Sequence, residues 1–247
     1  MATTWGTLSR TISIRLNMPG LRASSGLATR ILAIALRLSG LRTGSIRSIL
    51  HLNWQGRRLL LVTGHRRENL GPGLENLCRA LGDLAALYPD IQVVYPVHLN
   101  PRVQGPVFEI LGGRAGAGKG GSLQMEAPGG GRLALLPPLP YAPFVFLLSQ
   151  AYLVLTDSGG VQEEAPALGK PVLVAREITE RPEVLQAGAA RLVGLNREHI
   201  VREAGELLNN PETYKKMARA VNPYGDGQAA RRIVDILEEK LPDLGVK

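Results

Sequence analysis

The sequence predicts an α/β protein built on a doubly wound, parallel sheet. From Leu59 onward, short runs rich in Leu and Val alternate with stretches of helical periodicity. Runs that are apolar throughout, not alternating, belong to strands buried on both faces, and helices on both sides of a parallel sheet supply that environment. The length of 247 residues, with 45% hydrophobic and 20% charged side chains, is enough to bury one large core or two smaller ones.

The elements follow in order. "RLLLVTG" is the first strand, and "GLENLCRALGDLAALYP" carries Leu74, Leu77, Leu81, Leu84 and Leu87 on one helical stripe. "IQVVYP" is a strand, followed by a short helix at Arg102–Leu111. After an interruption, "RLALLPP" (strand), "YAPFVFLLSQ" (helix), "AYLVLTD" (strand) and "GGVQEEAPALG" (helix) resume the alternation. "PVLVAR" (strand), "ERPEVLQAG" (helix) and "ARLVGL" (strand) complete it, and two or three closing helices run from about Arg197. Ligands in such sheets bind outside the carboxyl ends of the strands.

The interruption, residues 112–131, holds nine glycines in twenty residues and is expected to be a flexible surface loop. Gly113 to Lys119 fits the spacing G-x-x-x-x-G-K, but Gly120 stands where Ser or Thr would hold magnesium, and a helix precedes it where a strand is needed. It does not read as a phosphate loop.

Residues 1–58 differ from the rest. They contain nine arginines, no lysine and no acidic residue, so they carry +9 of the net +8, and the other 189 residues sum to −1. The basic balance belongs to this head, and no nucleic-acid partner is expected for the body. The head admits three readings: an organelle transit segment, a basic amphipathic helix for a membrane or nucleic-acid surface, or a stretch foreign to the fold. No apolar run approaches the roughly 20 residues of a membrane span. The single cysteine, Cys78, lies among helix leucines and reads as a small buried hydrophobe, with a reactive thiol as the alternative. One cysteine precludes an internal disulfide and suits a reducing compartment, so a cytoplasmic location is expected.

Three stretches at strand carboxyl ends carry chemistry. "TGHRREN" places His65, Arg66 and Arg67 after the first strand; they suit an anion, with His65 as acid or base, or make an ordinary polar loop. "ITERPEVL" sets Arg181 before a proline that favours a helix start. Arg181 there makes a two-pronged phosphate contact or simply faces solvent. "LTDSGGVQEEA" brings the Ser158 hydroxyl and the Gly159 and Gly160 amides to a helix N-terminus, which favours an anion by roughly 0.3–1 kcal/mol. Glu163 and Glu164 either stabilise the first helical turn, or one of them accepts hydrogen bonds from vicinal hydroxyls, as acidic residues do with ribose. Phosphate beside a sugar diol describes a nucleotide.

Taken together, "GHRREN", "PVHLNP", "YAPF", "LTDSGGVQEEAPALGKPVLVAREITERPE" and "NPYGDGQAARRI" resemble the non-hydrolysing UDP-N-acetylglucosamine 2-epimerase family from about Leu59 to Leu237, apart from the glycine-rich insert. The resemblance implies the C-terminal half of a glycosyltransferase-B-like fold, in which two Rossmann-like domains hold a UDP-sugar between them. Residues 59–247 would be the UDP-binding domain. Phe144 would pack against uracil, Ser158, Gly159 and Gly160 would hold the diphosphate with Arg181, and Glu164 would take the ribose hydroxyls. His65 would be the catalytic group near the leaving diphosphate, while Arg66 and His98 would serve a second, allosteric UDP-sugar site. The family reaction removes the C2 proton of the sugar, eliminates UDP and adds it back, interconverting UDP-GlcNAc and UDP-ManNAc without metal or redox cofactor, in the service of cell-surface polysaccharide synthesis.

The chain also departs from the family. Its acid/base carboxylates come from an N-terminal domain whose opening "GTRPE" run is absent here. "SGLRTG", Ser39 to Gly44, is similar to the family's "EAGLRTG", with Leu38 at the glutamate's place. A truncated chain is therefore expected, inactive alone unless a separate chain supplies the missing domain; the family commonly forms a homodimer, through contacts largely in that missing domain, and the sequence does not give the oligomeric state of this chain. The alternatives are a UDP or UDP-sugar binding module without turnover, and a basic-headed interaction protein with the α/β body as scaffold.

Overall fold

The computed structural model describes Leu52, Trp54 and residues 56–112, 123–126 and 130–240. Among these residues, β1 (Arg58–Thr63) leads through a short 3-10 turn (Arg67–Asn69) into α1 (Pro72–Leu87), β2 (Ile91–Pro96) and α2 (Pro101–Leu111). Then come β3 (Leu123–Glu126), β4 (Arg132–Leu136), α3 (Tyr141–Gln150), β5 (Leu153–Thr156), α4 (Gly159–Ala167), β6 (Val172–Val174), α5 (Pro182–Gln186) and β7 (Ala190–Leu192). Three helices close the chain: α6 (Arg197–Asn209), α7 (Pro211–Ala218) and α8 (Ala229–Lys240).

The strands form one sheet in the order β3-β4-β2-β1-β5-β6-β7. Six are parallel, as the continuous apolar runs require, and β3 pairs antiparallel with β4, Leu123 opposite Leu135. Side-chain alternation along each strand feeds two cores. Leu60, Val62, Leu153 and Leu155 face the layer that holds Leu77, Leu81 and Ile200; Leu59, Leu61 and Val154 face the layer that holds Leu147, Val161 and Val184. The helical stripe on α1 behaves as its spacing predicts, with Leu74, Leu77, Leu81 and Leu84 almost fully buried, while Leu87 at the end of the helix is 61% exposed.

The turn into β4 shows how tightly these layers meet. A Cβ on Gly131 would lie 2.1 Å from the Ala85 carbonyl oxygen, so the backbone of the sheet edge can touch α1 only with glycine there.

Two expectations are corrected. The stretch 112–131 is not loop throughout: Leu123–Glu126 forms β3, because an extended tetrapeptide there can satisfy its backbone groups on the open edge of β4. The G-x-x-x-x-G-K spacing at 113–119 lies outside the described residues. The folded body also begins before residue 59. Leu52 is 6% exposed inside the second core and Trp54 packs against it. Arg57 donates to the carbonyls of Pro89 and Gly130, and Arg58 grips Asp90 through two N–H···O bonds of 2.7 and 2.9 Å. Residues 1–51, with the three readings of the head and Ser39–Gly44, lie outside the described residues.

Among the described residues no helix is long and apolar enough to cross a membrane. Helix α8 buries none of its side chains and presents Ile233, Val234, Ile236 and Leu237 at half exposure.

Candidate functional site

The chain turns from β1 to β2 on one side of the sheet and returns to β5 on the other. The connections after β1 and β5 therefore diverge, and a crevice opens between them at the strands' carboxyl ends. Two hydroxyls, Thr63 and Thr156, meet across that seam at 2.5 Å, and Thr156 Oγ1 also accepts from the Ser158 N–H at 3.0 Å. Both "TGHRREN" and "LTDSGG" thus converge on one point.

Asp157 ties them together. Its carboxylate is fully buried, and Oδ2 accepts from the backbone N–H of His65 and of Arg66, each at 2.8 Å, and from Asn69 Nδ2 at 3.1 Å. Asn69 continues to the carbonyl of Ala175, the residue after β6. Tyr95 reaches up from β2 to donate to the Gly64 carbonyl at 2.6 Å. The post-β1 loop is therefore held from below by three strands. His65 stacks on His98 with centroids 5.3 Å apart and planes inclined by 11°.

Beside this seam lies α4. Ser158 is its N-cap residue, extended at φ −84°, and makes no side-chain cap bond. Ordinary helix geometry leaves the Gly159, Gly160 and Val161 amides without intrahelical partners. Nothing lies within 4 Å of where a Gly160 Cβ would be, so the backbone there faces open space.

That space is a cavity of about 810 Å³, lined from α4 by Gly160, Glu163 and Glu164, from the β6–α5 loop by Arg181, from α3 by Tyr141, and on its far side by the loop Asn222–Gly227. Arg181 donates through Nε to Glu163 Oε1 at 2.5 Å, and its backbone N–H goes to Thr179 Oγ1. Thr179 in turn donates to the buried Gln162. Burial pushes the Glu164 carboxyl above the usual carboxylate range, a hydrogen bond from Tyr141 opposes this, and the charge on Glu163 adds to it. The same burial, reinforced by Glu164, pushes the Tyr141 phenol up to about 12. Behind Arg181, Arg66 and Arg176 form a ladder with Glu68 and Glu180, at N···O separations of 3.3 to 3.9 Å.

The structure thus gathers Gly160, Glu164 and Arg181 on one cavity wall, with Ser158 and Gly159 at the adjoining turn and His65 and Arg66 at the seam. Phe144 is not among the residues lining this cavity: it packs against the second core, and the aromatics on the cavity wall are Tyr141, one turn earlier, and Tyr224. Cys78 is fully buried, its thiol pushed up to about 12 by that burial, as suits a core hydrophobe. The sequence reading gave no role to Tyr141 or to the loop 222–227, where Asp226 is held at about 2, chiefly by a two-pronged bond from Arg232. The signal was present in "NPYGDG", whose Gly225 and Gly227 adopt φ of 94° and 79°. Among the described residues no cluster of three His, Cys, Asp or Glu side chains has metal-holding geometry.

This chain is similar to known proteins over most of its length. A family profile described as UDP-N-acetylglucosamine 2-epimerase matches residues 31–238. The match begins within the basic head, takes in Ser39–Gly44, and so extends the likeness upstream of Leu59. The UDP-N-acetylglucosamine 2-epimerase of Escherichia coli K12 is 50% identical over 182 residues, covering 74% of this chain and 44% of the relative. Among solved structures, the UDP-GlcNAc 2-epimerase of Neisseria meningitidis bound to UDP-GlcNAc superposes with a TM-score of 0.68 at 37% identity, covering 86% of this chain and 53% of that one. The S. aureus MnaA–UDP structure gives 0.67 at 36% identity, with 85% and 53% covered. The chain therefore spans about half the length of the proteins it matches, or somewhat less.

Proposed function

The chain belongs to the UDP-N-acetylglucosamine 2-epimerase family, and on that premise we propose that its described domain is the UDP-holding part of an enzyme that interconverts UDP-GlcNAc and UDP-ManNAc. One observation carries the reading: a single cavity beside the switch point of the sheet offers an exposed helix-start backbone at Gly160, a guanidinium at Arg181 and a partly desolvated carboxylate at Glu164. Amides and guanidinium suit a diphosphate, and the carboxylate suits the ribose diol.

In this reading Gly159, Gly160, Ser158 and Arg181 stabilise the charge that develops on the diphosphate as it leaves the sugar. Glu164 takes the ribose hydroxyls. Of the two neighbouring glutamates it is the one not paired with Arg181. Uracil lies toward α3, against Tyr141. His65 stands at the seam beside the departing group, and Arg66 and His98 face the second UDP-sugar. The reaction requires a base and an acid at C2, which this reading assigns to a facing domain, within a longer form of this protein or in a second chain. The share of the relatives that the chain spans favours a second reading, a UDP-binding module that does not turn over alone.

Calorimetric titration of the purified chain with UDP tests the assignment. Arg181→Ala is expected to weaken UDP by about ten- to a hundred-fold, the cost of about 1.5–3 kcal/mol for losing hydrogen bonds to a charged group. The same change also leaves Glu163 unpaired against the diphosphate. Unchanged affinity in the variant, or no heat with the parent chain at millimolar UDP, sinks the reading.

A further inference from the structure

The two oxygens of Asp157 lead different lives. Oδ2 accepts three N–H groups, from His65, Arg66 and Asn69. Oδ1 is equally buried and accepts no hydrogen bond among the described residues, yet it lies 3.5 Å from His65 Nδ1. A bare carboxylate oxygen in the protein interior is costly, and a proton on His65 Nδ1 is what the surroundings offer to relieve it. The ring is constrained from its other side as well, because it stacks on His98. His98 Nδ1 accepts the Asn100 N–H at 3.1 Å, so a neutral His98 carries its proton on Nε2.

We propose that Asp157 is a positioning residue for His65: it holds the neutral ring in the tautomer with the proton on Nδ1, leaving Nε2 as the accepting nitrogen at the switch point. The two stacked imidazoles then carry opposite tautomers. His65 is 43% exposed in its side chain, and Nε2 is the ring nitrogen not directed at Asp157, hence the one left for a ligand. A proton taken up at Nε2 leaves the Nδ1–H···Oδ1 contact in place, and the resulting imidazolium faces a carboxylate that stabilises it. What Nε2 does next, passing that proton to an oxygen of the departing diphosphate, rests on the function proposed above. The tautomer itself does not.

The variant Asp157→Asn separates anchoring from orientation. Its amide oxygen still accepts the three N–H groups that hold the loop, whereas its NH₂ now points at His65 Nδ1 and requires that nitrogen to accept. The full chain, labelled with nitrogen-15, is studied by long-range proton–nitrogen correlation at about pH 8.5, roughly two units above an ordinary imidazole's midpoint. His65→Gln assigns the signal among the four histidines. The expected result is a His65 protonated on Nδ1 in the parent chain and on Nε2 in Asp157→Asn. A parent His65 protonated on Nε2 overturns the proposal, as does the same tautomer in both folded proteins. Should Asp157→Asn fail to fold, the parent tautomer alone decides. UDP titration of the same parent sample keeps the two claims apart. The Nδ1–H tautomer without UDP binding counts against the nucleotide reading only, and UDP binding with the Nε2–H tautomer counts against the Asp157 proposal only.

Discussion

Glu163 and Glu164 are adjacent in the chain and electrostatically unlike. Glu163 receives the Arg181 guanidinium, while Glu164 turns toward Tyr141, where loss of water raises its affinity for a proton. That shift is a statement about stability. A carboxyl whose folded-state pKa lies above its unfolded value costs nothing below the ordinary carboxylate range and destabilises the fold as pH rises through the raised value. Glu164→Gln, which cannot ionise, is therefore expected to melt at a higher temperature than the parent chain at pH 7, with the difference vanishing near pH 4 and below. In the same variant UDP is expected to bind about ten-fold more weakly, since an ionised acceptor is lost. Melting curves across pH, with a UDP titration at pH 7, check both signs. A variant that melts no higher at neutral pH contradicts the burial argument. The local sequence marked this pair as unusual but left open which glutamate did what, and only the family resemblance named Glu164, since a partner eighteen residues away chooses between them.

At the scale of elements, the start of α4 makes a separable prediction. Gly160 is helical, its φ is not left-handed, and a methyl group there meets nothing within 4 Å. Gly160→Ala should then leave folding intact or stabilise it by about 0.5–1 kcal/mol, because alanine gives up less backbone freedom than glycine in a helix. If the amide edge there receives the diphosphate, the methyl group intrudes on the ligand and UDP affinity falls by about ten-fold or more, a loss on the order of 1.4 kcal/mol. Equal affinity in the two proteins would rule out close approach of the diphosphate at that edge. The existence of this turn was legible, because a strand run, Ser-Gly-Gly and a helix start lie within one local window. β3 was not legible. Four residues inside a glycine-rich stretch carry little pattern, and what makes them a strand is an unpaired edge on β4, supplied by another part of the chain.

For the whole molecule, the function proposed above makes this arrangement a half-site. The cavity is bounded by α3, α4, the β6–α5 loop and the loop 222–227, and the reading proposed here needs a facing surface to supply the acid and base at C2. The purified chain, incubated with UDP-GlcNAc in deuterium oxide, is expected to show no deuterium at C2 while still binding UDP. Exchange at C2 by this chain alone would require those groups to lie within its 247 residues and would overturn the division of labour. The boundary of the body also belongs to this scale. Composition put the break at residue 58, where the run of arginines ends, but Leu52 and Trp54 pack into the second core. Leu50, Leu52 and Trp54 alternate over too short a run to stand out in a basic stretch, so the surface waiting for Leu52 and Trp54 is what identifies them as core.

By itself the sequence determined the alternation of strands and helices, hence a parallel sheet covered on both faces, and it brought three chemistry-bearing turns to strand carboxyl ends. These follow from hydrophobic period and turn chemistry, which act over a few residues. The tertiary structure alone decided which turns meet. It set Asp157 beneath His65 across ninety-two residues, paired Arg181 with Glu163 and not Glu164, and closed the cavity with Tyr141 and the loop 222–227. Such meetings depend on how the two faces of one sheet are packed, a long-range outcome that no local window contains.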